Sequence, residues 1–290
     1  MKEKKIKTKK RLNCREKLLL AAQIMLAAVI LVLLWKIGDY LIDERKSSDF
    51  SEDLQKSVII MEEPEDGGTD RNAQGAGNRE MPKADIPAEI DFESLHEISR
   101  DAVAWIYDPD GEINYVIAQA KDNEYYLHRL LDGTEADGGT LFMDYRNSGD
   151  LSDWNTVIYG HNMKNGTMLA TLIDYQRPGY YEEHPVMYLY TPGRRYMMEL
   201  IAGYTTDVND PVYSVPATKE GRDEILSHAG RVSSFIPDTV VEDGDRLVTL
   251  STCSYAYDDA RYVLIGKLVE SNLFRTDYPC GTGFRITASQ

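Results

Sequence analysis

The sequence predicts a mainly β fold: a closed or nearly closed β-barrel with a helix before its first strand, an additional helix between its late strands, and one transmembrane helix at the amino end. Three observations lead there. Seven short runs rich in branched and aromatic residues recur from Ile113 to Val269, most of them separated by turn signals such as DPDG, ADGG, TPG and EDGD. Helical periodicity within that stretch is confined to Thr167 to Tyr175 and Lys219 to Val232. Ahead of it lies an apolar run long enough to cross a bilayer.

Lys2, Lys4, Lys5, Lys7, Lys9, Lys10, Arg11, Arg15 and Lys17 crowd residues 1–17, against only Glu3 and Glu16. From Leu18 to Trp35 the chain is almost wholly apolar, with Gln23 the one polar interruption, and Ile37 extends the run past Lys36. Roughly 20 residues at 1.5 Å each match a hydrocarbon core of ~30 Å. A cleaved signal peptide is the competing reading, but no small-residue cleavage pattern follows Trp35 and the run is long for a signal's apolar region. The expectation is a single-pass signal anchor over 18–37 in the cell membrane. The positive-inside rule then makes 1–17 a cytoplasmic tail and puts everything after the span outside the cell.

Residues 38–89 are charged and then rich in Gly, Asn, Asp and Pro, as in EEPEDGGTDRNAQGAGNRE, which is too polar to bury a core. They are expected to form a flexible extracytoplasmic stalk, with at most a short helix between Phe50 and Met61. The folded domain is expected over 90–270. In DFESLHEISRDAVAWI, the positions Phe92, Leu95, Ile98, Val103 and Ile106 fit a helix that packs on the domain and runs into a strand near Trp105. The strand-like runs then come in order: Ile113 to Ala118, Thr140 to Asp144, Thr156 to Tyr159, Val186 to Tyr190, Tyr196 to Tyr204, Leu247 to Leu250 and Tyr262 to Val269. Residues 271–290 form a C-terminal tail.

In a chain of 290 residues, 42% hydrophobic content is enough for a sizeable core. The net charge of −16 argues against nucleic acid as a partner, since phosphate binding needs a basic face.

The chemistry gathers at the last two runs. DRLVTLSTCSYAYDDARYVLIGKLVE reads as two antiparallel strands joined by a loop longer than a tight turn, which sets the end of the first strand beside the start of the second. Cys253 stands at that end and Arg261 at that start. In NTVIYGHNM, a buried strand from Asn155 to Tyr159 stops at Gly160 and leaves His161 on a rim loop. A thiol, an imidazole and a fixed cation are the parts needed for acyl transfer through a thioester. Of the other cysteines, Cys14 falls on the cytoplasmic side and Cys280 in the tail, so a Cys253–Cys280 disulfide is the one competing intramolecular pairing; it would leave His161 and Arg261 beside a dead sulfur. Neither CxxC nor HxxxH spacing is present, so no metal and no cofactor is expected. His96, His128, His184 and His228 lie in segments without a partner motif and read as packing or surface residues.

The strings TLSTC followed by Arg261, and YGHNM with an upstream FMDYRN, resemble the sortases, membrane-anchored cysteine transpeptidases of bacterial surfaces, and most closely their class B. The likeness runs from about Trp105 to Glu270. It implies a sortase β-barrel with the N-terminal helix and the late helix of class B. It also implies a secreted donor protein with a C-terminal sorting motif of the LPxTG or NPxTN kind, cut after Thr, and a lipid-linked peptidoglycan precursor amine as acceptor. Ser251 and Thr252 match the STC string as candidates for the donor groove, and Asn123 in KDNEYYL matches an Asn near the class B active site. INYVI departs from the INYPV expected, and the tail runs past the usual last strand.

With reference pKa values of ~8.5 for Cys and ~6.5 for His, the thiolate–imidazolium form is only ~1% of a singly protonated pair, a penalty of ~2.7 kcal/mol. A neighbouring guanidinium favours the thiolate. In this scheme Cys253 attacks the peptide carbonyl, His161 protonates the departing amine, and Arg261 binds substrate or the oxyanion. Three rivals stand beside it. An L,D-transpeptidase would carry Gly directly before its nucleophile, where Thr252 stands here; a papain-like hydrolase would place Cys before His; a β-barrel surface module would use none of the three residues.

Overall fold

The computed structural model describes residues 13–61, 87, 89–109 and 112–270, so that the basic run up to residue 12, most of the Gly-rich stretch, the tail with Cys280 and the side chain of Cys14 lie outside them. The chain falls into two units that divide between Lys46 and Ser47. Helix α1, Cys14–Val58, contains the apolar run and, from Lys17 onward, is long and apolar enough to cross a membrane by length and composition. The sequence reading places a flexible stalk from residue 38. Helix continues instead to Val58, and β1 (Ile59–Ile60) then pairs with β2 (Glu89–Ile90).

The reason lies in side-chain spacing. The segment 38–58 has no proline to stop a helix, and Phe50, Leu54 and Val58 recur every four residues on one face. That face packs against Trp105, Val116 and Tyr188 of the barrel. Polarity of the remaining positions is solvation of an exposed helix face rather than a sign of disorder. Gln55 adds a hydrogen bond from Nε2 to the Asn114 carbonyl at 2.8 Å.

Helix α2, Phe92–Ile98, begins at Asp91, whose carboxylate accepts from the Ser94 amide at 3.0 Å, and ends at Ser99, which is extended. Val103 and Ile106 therefore belong to strand β3 (Ala102–Tyr107), not to the helix. After β4 (Asn114–Ala118), β5 (Leu141–Met143) and β6 (Asn155–Tyr159) come the short α3 (Tyr180–Glu183), β7 (Val186–Thr191) and β8 (Arg194–Thr206). Helix α4 (Lys219–Val232), capped by Thr218, precedes β9 (Leu247–Cys253) and β10 (Arg261–Glu270). Of the two helical patterns read inside the barrel region, Lys219 to Val232 is α4, whereas the earlier one is a 3-10 turn over Ala170–Gln176.

Strands β3 to β10 close into one barrel in the order β10-β8-β7-β3-β4-β5-β6-β9. Alternation along each strand separates two faces. Ile106, Ile117, Leu189, Met198, Val248, Leu250 and Leu264 fill the interior. Outside, one face is covered by α2 and the end of α1, and another, with Ile201, Leu247, Val263 and Ile265, by Ile225 and Ala229 of α4.

Two pairings decide where the site falls. β9 and β10 are antiparallel, whereas β6 and β9 are parallel, so β6 and β9 both finish at one rim.

Candidate active site

In the β9–β10 ladder Cys253 pairs with Arg261, and in the β6–β9 ladder Tyr159 pairs with Ser251. Residues directly opposite across a ladder present their side chains on the same face, so the thiol and the guanidinium share one side of the sheet. The parallel β6 then delivers His161 to the same rim. The Gly160 amide extends that ladder by donating to the Ser251 carbonyl at 3.0 Å, and Asn162 Nδ2 donates to the Cys253 carbonyl at 2.9 Å. The backbones carrying His161 and Cys253 are thus stitched together on both sides of the histidine.

His161 is oriented by a backbone group. Its Nε2 lies 2.7 Å from the Leu127 carbonyl oxygen, and because a carbonyl only accepts, Nε2 carries the hydrogen. Nδ1 is the nitrogen left to exchange a proton with a reacting group. Leu127 sits in a 3-10 turn, Tyr125–His128, and His128 from the same turn stacks on His161 with ring centroids 5.7 Å apart. His128, read from the sequence as a packing or surface residue, packs here on the imidazole of His161.

Cys253 is half-buried and forms no disulfide among the described residues, Cys280 lying outside them. Arg261 Nη1 donates to the Ala260 carbonyl at 3.1 Å, and among the described residues its guanidinium pairs with no carboxylate. Its charge is therefore not neutralised within the site and remains available to an anionic or polarised oxygen. No group of three His, Cys, Asp or Glu side chains among the described residues is arranged to hold a metal ion.

The three remaining sequence candidates are placed differently. Ser251 lies on the face of Cys253, where its Oγ meets the Tyr213 hydroxyl at 2.9 Å. Thr252 lies on the opposite face with Val248 and Leu250, and its buried hydroxyl has no partner among the described residues, so on the side of Cys253 it presents only its backbone. Asn123 is turned into the protein: Nδ2 donates to Asp144 at 3.0 Å and Oδ1 accepts from the Tyr145 amide at 3.0 Å.

Asp144 is a hub that sequence reasoning missed, although it stands in FMDYRN. Burial pushes its carboxyl up, but Arg146, through side chain and backbone, together with Asn123 and Tyr159, holds it lower, at about 2. Arg146 reaches on from Asp144 to the Tyr213 carbonyl at 2.9 Å, and the rings of Tyr159 and Tyr213 stack. Tyr213, pushed up to about 12 chiefly by burial, keeps its hydroxyl proton and feels the charge of Arg261. It comes from a short turn between β8 and α4, Pro211–Tyr213, and no motif in the sequence marks it.

No family model matches the chain. Sortase B of Listeria monocytogenes is 34% identical over 204 residues, spanning 68% of this chain and 82% of the relative. Sortase B of Staphylococcus aureus is 27% identical over 258 residues, 88% of this chain and 98% of the relative. Among solved structures, the S. aureus sortase B–substrate complex matches with a TM-score of 0.58 and 31% identity, over 62% of this chain and 84% of that one. Sortase B from Bacillus anthracis in complex with AAEK1 matches with a TM-score of 0.63 and 30% identity, over 80% of this chain and all of that one (100%). An eight-stranded barrel with a late helix, a Cys–His–Arg rim and relatives of this similarity lead to one assignment: the chain belongs to the class B sortases, a family of cysteine transpeptidases.

Proposed function

We propose that this sortase cleaves the C-terminal sorting motif of secreted proteins, of the LPxTG or NPxTN kind, after Thr, and transfers the acyl group to a peptidoglycan amine. The observation that carries the reading is the meeting of Cys253, Arg261 and His161 at one rim by two ladder registers. In the first step the Cys253 thiolate adds to the Thr carbonyl carbon, and Arg261 donates hydrogen bonds to the oxygen that becomes negative. The C–N bond then breaks as His161, through Nδ1, gives its proton to the departing amine, leaving a thioester. In the second step the acceptor amine adds to that thioester, passes a proton to the now neutral His161, and expels the thiolate, so the enzyme returns to its starting charge. The acyl group ends in a new amide.

Support for an extracytoplasmic, membrane-anchored enzyme comes from the basic residues 1–17 ahead of the apolar run in α1. On this reading 1–17 is cytoplasmic, 18–37 spans the membrane, and the catalytic barrel of residues 90–270 works outside the cell on a lipid-linked precursor. The test is product analysis with a sorting-motif peptide and an amine acceptor. Wild type should give the peptide cut after Thr and joined to the amine; Cys253→Ala should give neither cleavage nor transfer, and His161→Ala should bind the peptide without turnover. Cleavage at another bond, or product from Cys253→Ala, would overturn the reading.

A further inference from the structure

We propose that Asp210, latched to α4 by His228, is a positioning residue that holds Tyr213 against the Cys253–Arg261 row; the inference rests on the proposed transpeptidation only for what binds along that row. The Asp210 side chain is 4% exposed. Its Oδ1 accepts from the Tyr204 hydroxyl at 3.1 Å and the Val212 amide at 2.9 Å, and its Oδ2 from Thr206 Oγ1 at 2.6 Å and His228 Nε2 at 3.0 Å. Four donors on two oxygens fill the acceptor capacity of a carboxylate. Since a carboxylate only accepts, His228 holds its hydrogen on Nε2, and burial keeps the proton on Tyr204.

The donors come from three places: the end of β8, the turn before Tyr213, and α4. What they join is the active-site row. Thr206 pairs with Arg261 in the β8–β10 ladder, and Arg261 pairs with Cys253 in the next, so Thr206, Arg261 and Cys253 lie side by side across three strands. On the other side of Asp210, Val212 is followed by Tyr213, whose hydroxyl meets Ser251. A buried carboxylate is unfavourable unless its geometry is fully satisfied, and here satisfaction requires the turn, the strand end and the helix to be assembled together. This gives α4 a role beyond covering the barrel: through His228 it braces the turn that presents Tyr213.

The role predicts an effect on donor binding rather than on the nucleophile. Asp210→Ala and His228→Leu should each raise KM for a sorting-motif peptide about tenfold, the scale of one lost hydrogen bond to a charged group, with kcat and the alkylation rate of Cys253 within about twofold of wild type. His228→Gln, whose amide N–H can replace the lost donor, should restore KM. NMR with ring-labelled tyrosine gives a reading that needs no turnover. Contacts between the rings of Tyr213 and Tyr159 should be lost in His228→Leu and kept in His228→Gln. An unchanged KM in both Asp210→Ala and His228→Leu, a parallel fall in kcat and alkylation, retained ring contacts in His228→Leu, or a Gln variant no better than Leu would each overturn the latch. Absence of transpeptidation by wild type would instead sink the proposed function, leaving the ring contacts to decide the latch.

Discussion

Arg261 can act in two ways, and one substitution separates them. As a bare positive charge it would hold the Cys253 thiolate, and lysine would serve nearly as well. As a fork of directed donors it would bind the oxyanion, and lysine would lose the planar geometry. Its place opposite Cys253, with no carboxylate partner among the described residues, favours the fork. Arg261→Lys is expected to lower kcat/KM by ~10²-fold, about 2.7 kcal/mol, while thiol alkylation changes little; near-normal turnover would refute the fork, and strongly slowed alkylation would indicate thiolate stabilisation. Asp144 makes a prediction in pH. Its carboxyl is held down at about 2 against an ordinary value of ~3.9, so its contribution to stability is full above the ordinary value and is lost as pH falls through the depressed one. The urea midpoint of wild type should exceed that of Asp144→Asn at neutral pH, and the gap should close as pH falls through about 2. A gap that persists unchanged at that pH would mean the carboxylate's charge is not what stabilises the hub. Residue types were the most legible part of the site: Cys253, His161 and Arg261 stood out because their chemistry is scarce and their strings specific. Tyr213, Asp144 and His128 did not, because tyrosine, aspartate and histidine in loops have many commoner uses and only their three-dimensional neighbours distinguish them.

Among the elements, the turn Tyr125–His128 governs the histidine, and Gly139 governs the turn. Gly139 adopts φ +56°, and a Cβ there would stand 2.5 Å from the carbonyl oxygens of both Tyr126 and Leu127, the latter being the one that holds His161. Gly139→Ala must therefore displace that carbonyl. It is expected to lower kcat about tenfold, the scale of a lost hydrogen bond to a group that becomes charged, as well as to reduce Tm. Gly193, at the β7–β8 turn, has φ +76° with open space around it. Gly193→Ala should carry the left-handed strain of ~1–2 kcal/mol and lower Tm without touching turnover. Equal activity loss in the two variants would show that general destabilisation, not the Leu127 carbonyl, is responsible. Strand periodicity located β4 to β10 within a few residues, because alternating or continuous apolar runs between turn signals leave little choice. Their neighbours could not be read that way: nothing local in NTVIYGHNM says that β6 lies parallel to β9, and that pairing is what brings His161 to Cys253.

At the scale of the whole molecule, the sequence overstated flexibility over 38–58. Segment 38–58 looks like a linker by polarity, yet its sparse apolar residues are spaced for one helix face, and burial of Leu54 and Val58 decides the outcome. On the proposed reading, the basic residues before the apolar run put the amino end in the cytoplasm and the barrel outside the cell. Protease added to intact protoplasts should digest the barrel; survival there, with digestion only after lysis, would contradict an outward-facing enzyme. The central claim is that Cys253 carries the acyl group between donor and acceptor. Its most direct test is the intact mass of the protein mixed with a sorting-motif peptide and no amine. A covalent adduct equal to the motif through Thr, mapped to Cys253 and discharged on adding an amine, is the predicted result. No adduct during active cleavage, or an adduct on any other residue, would contradict it.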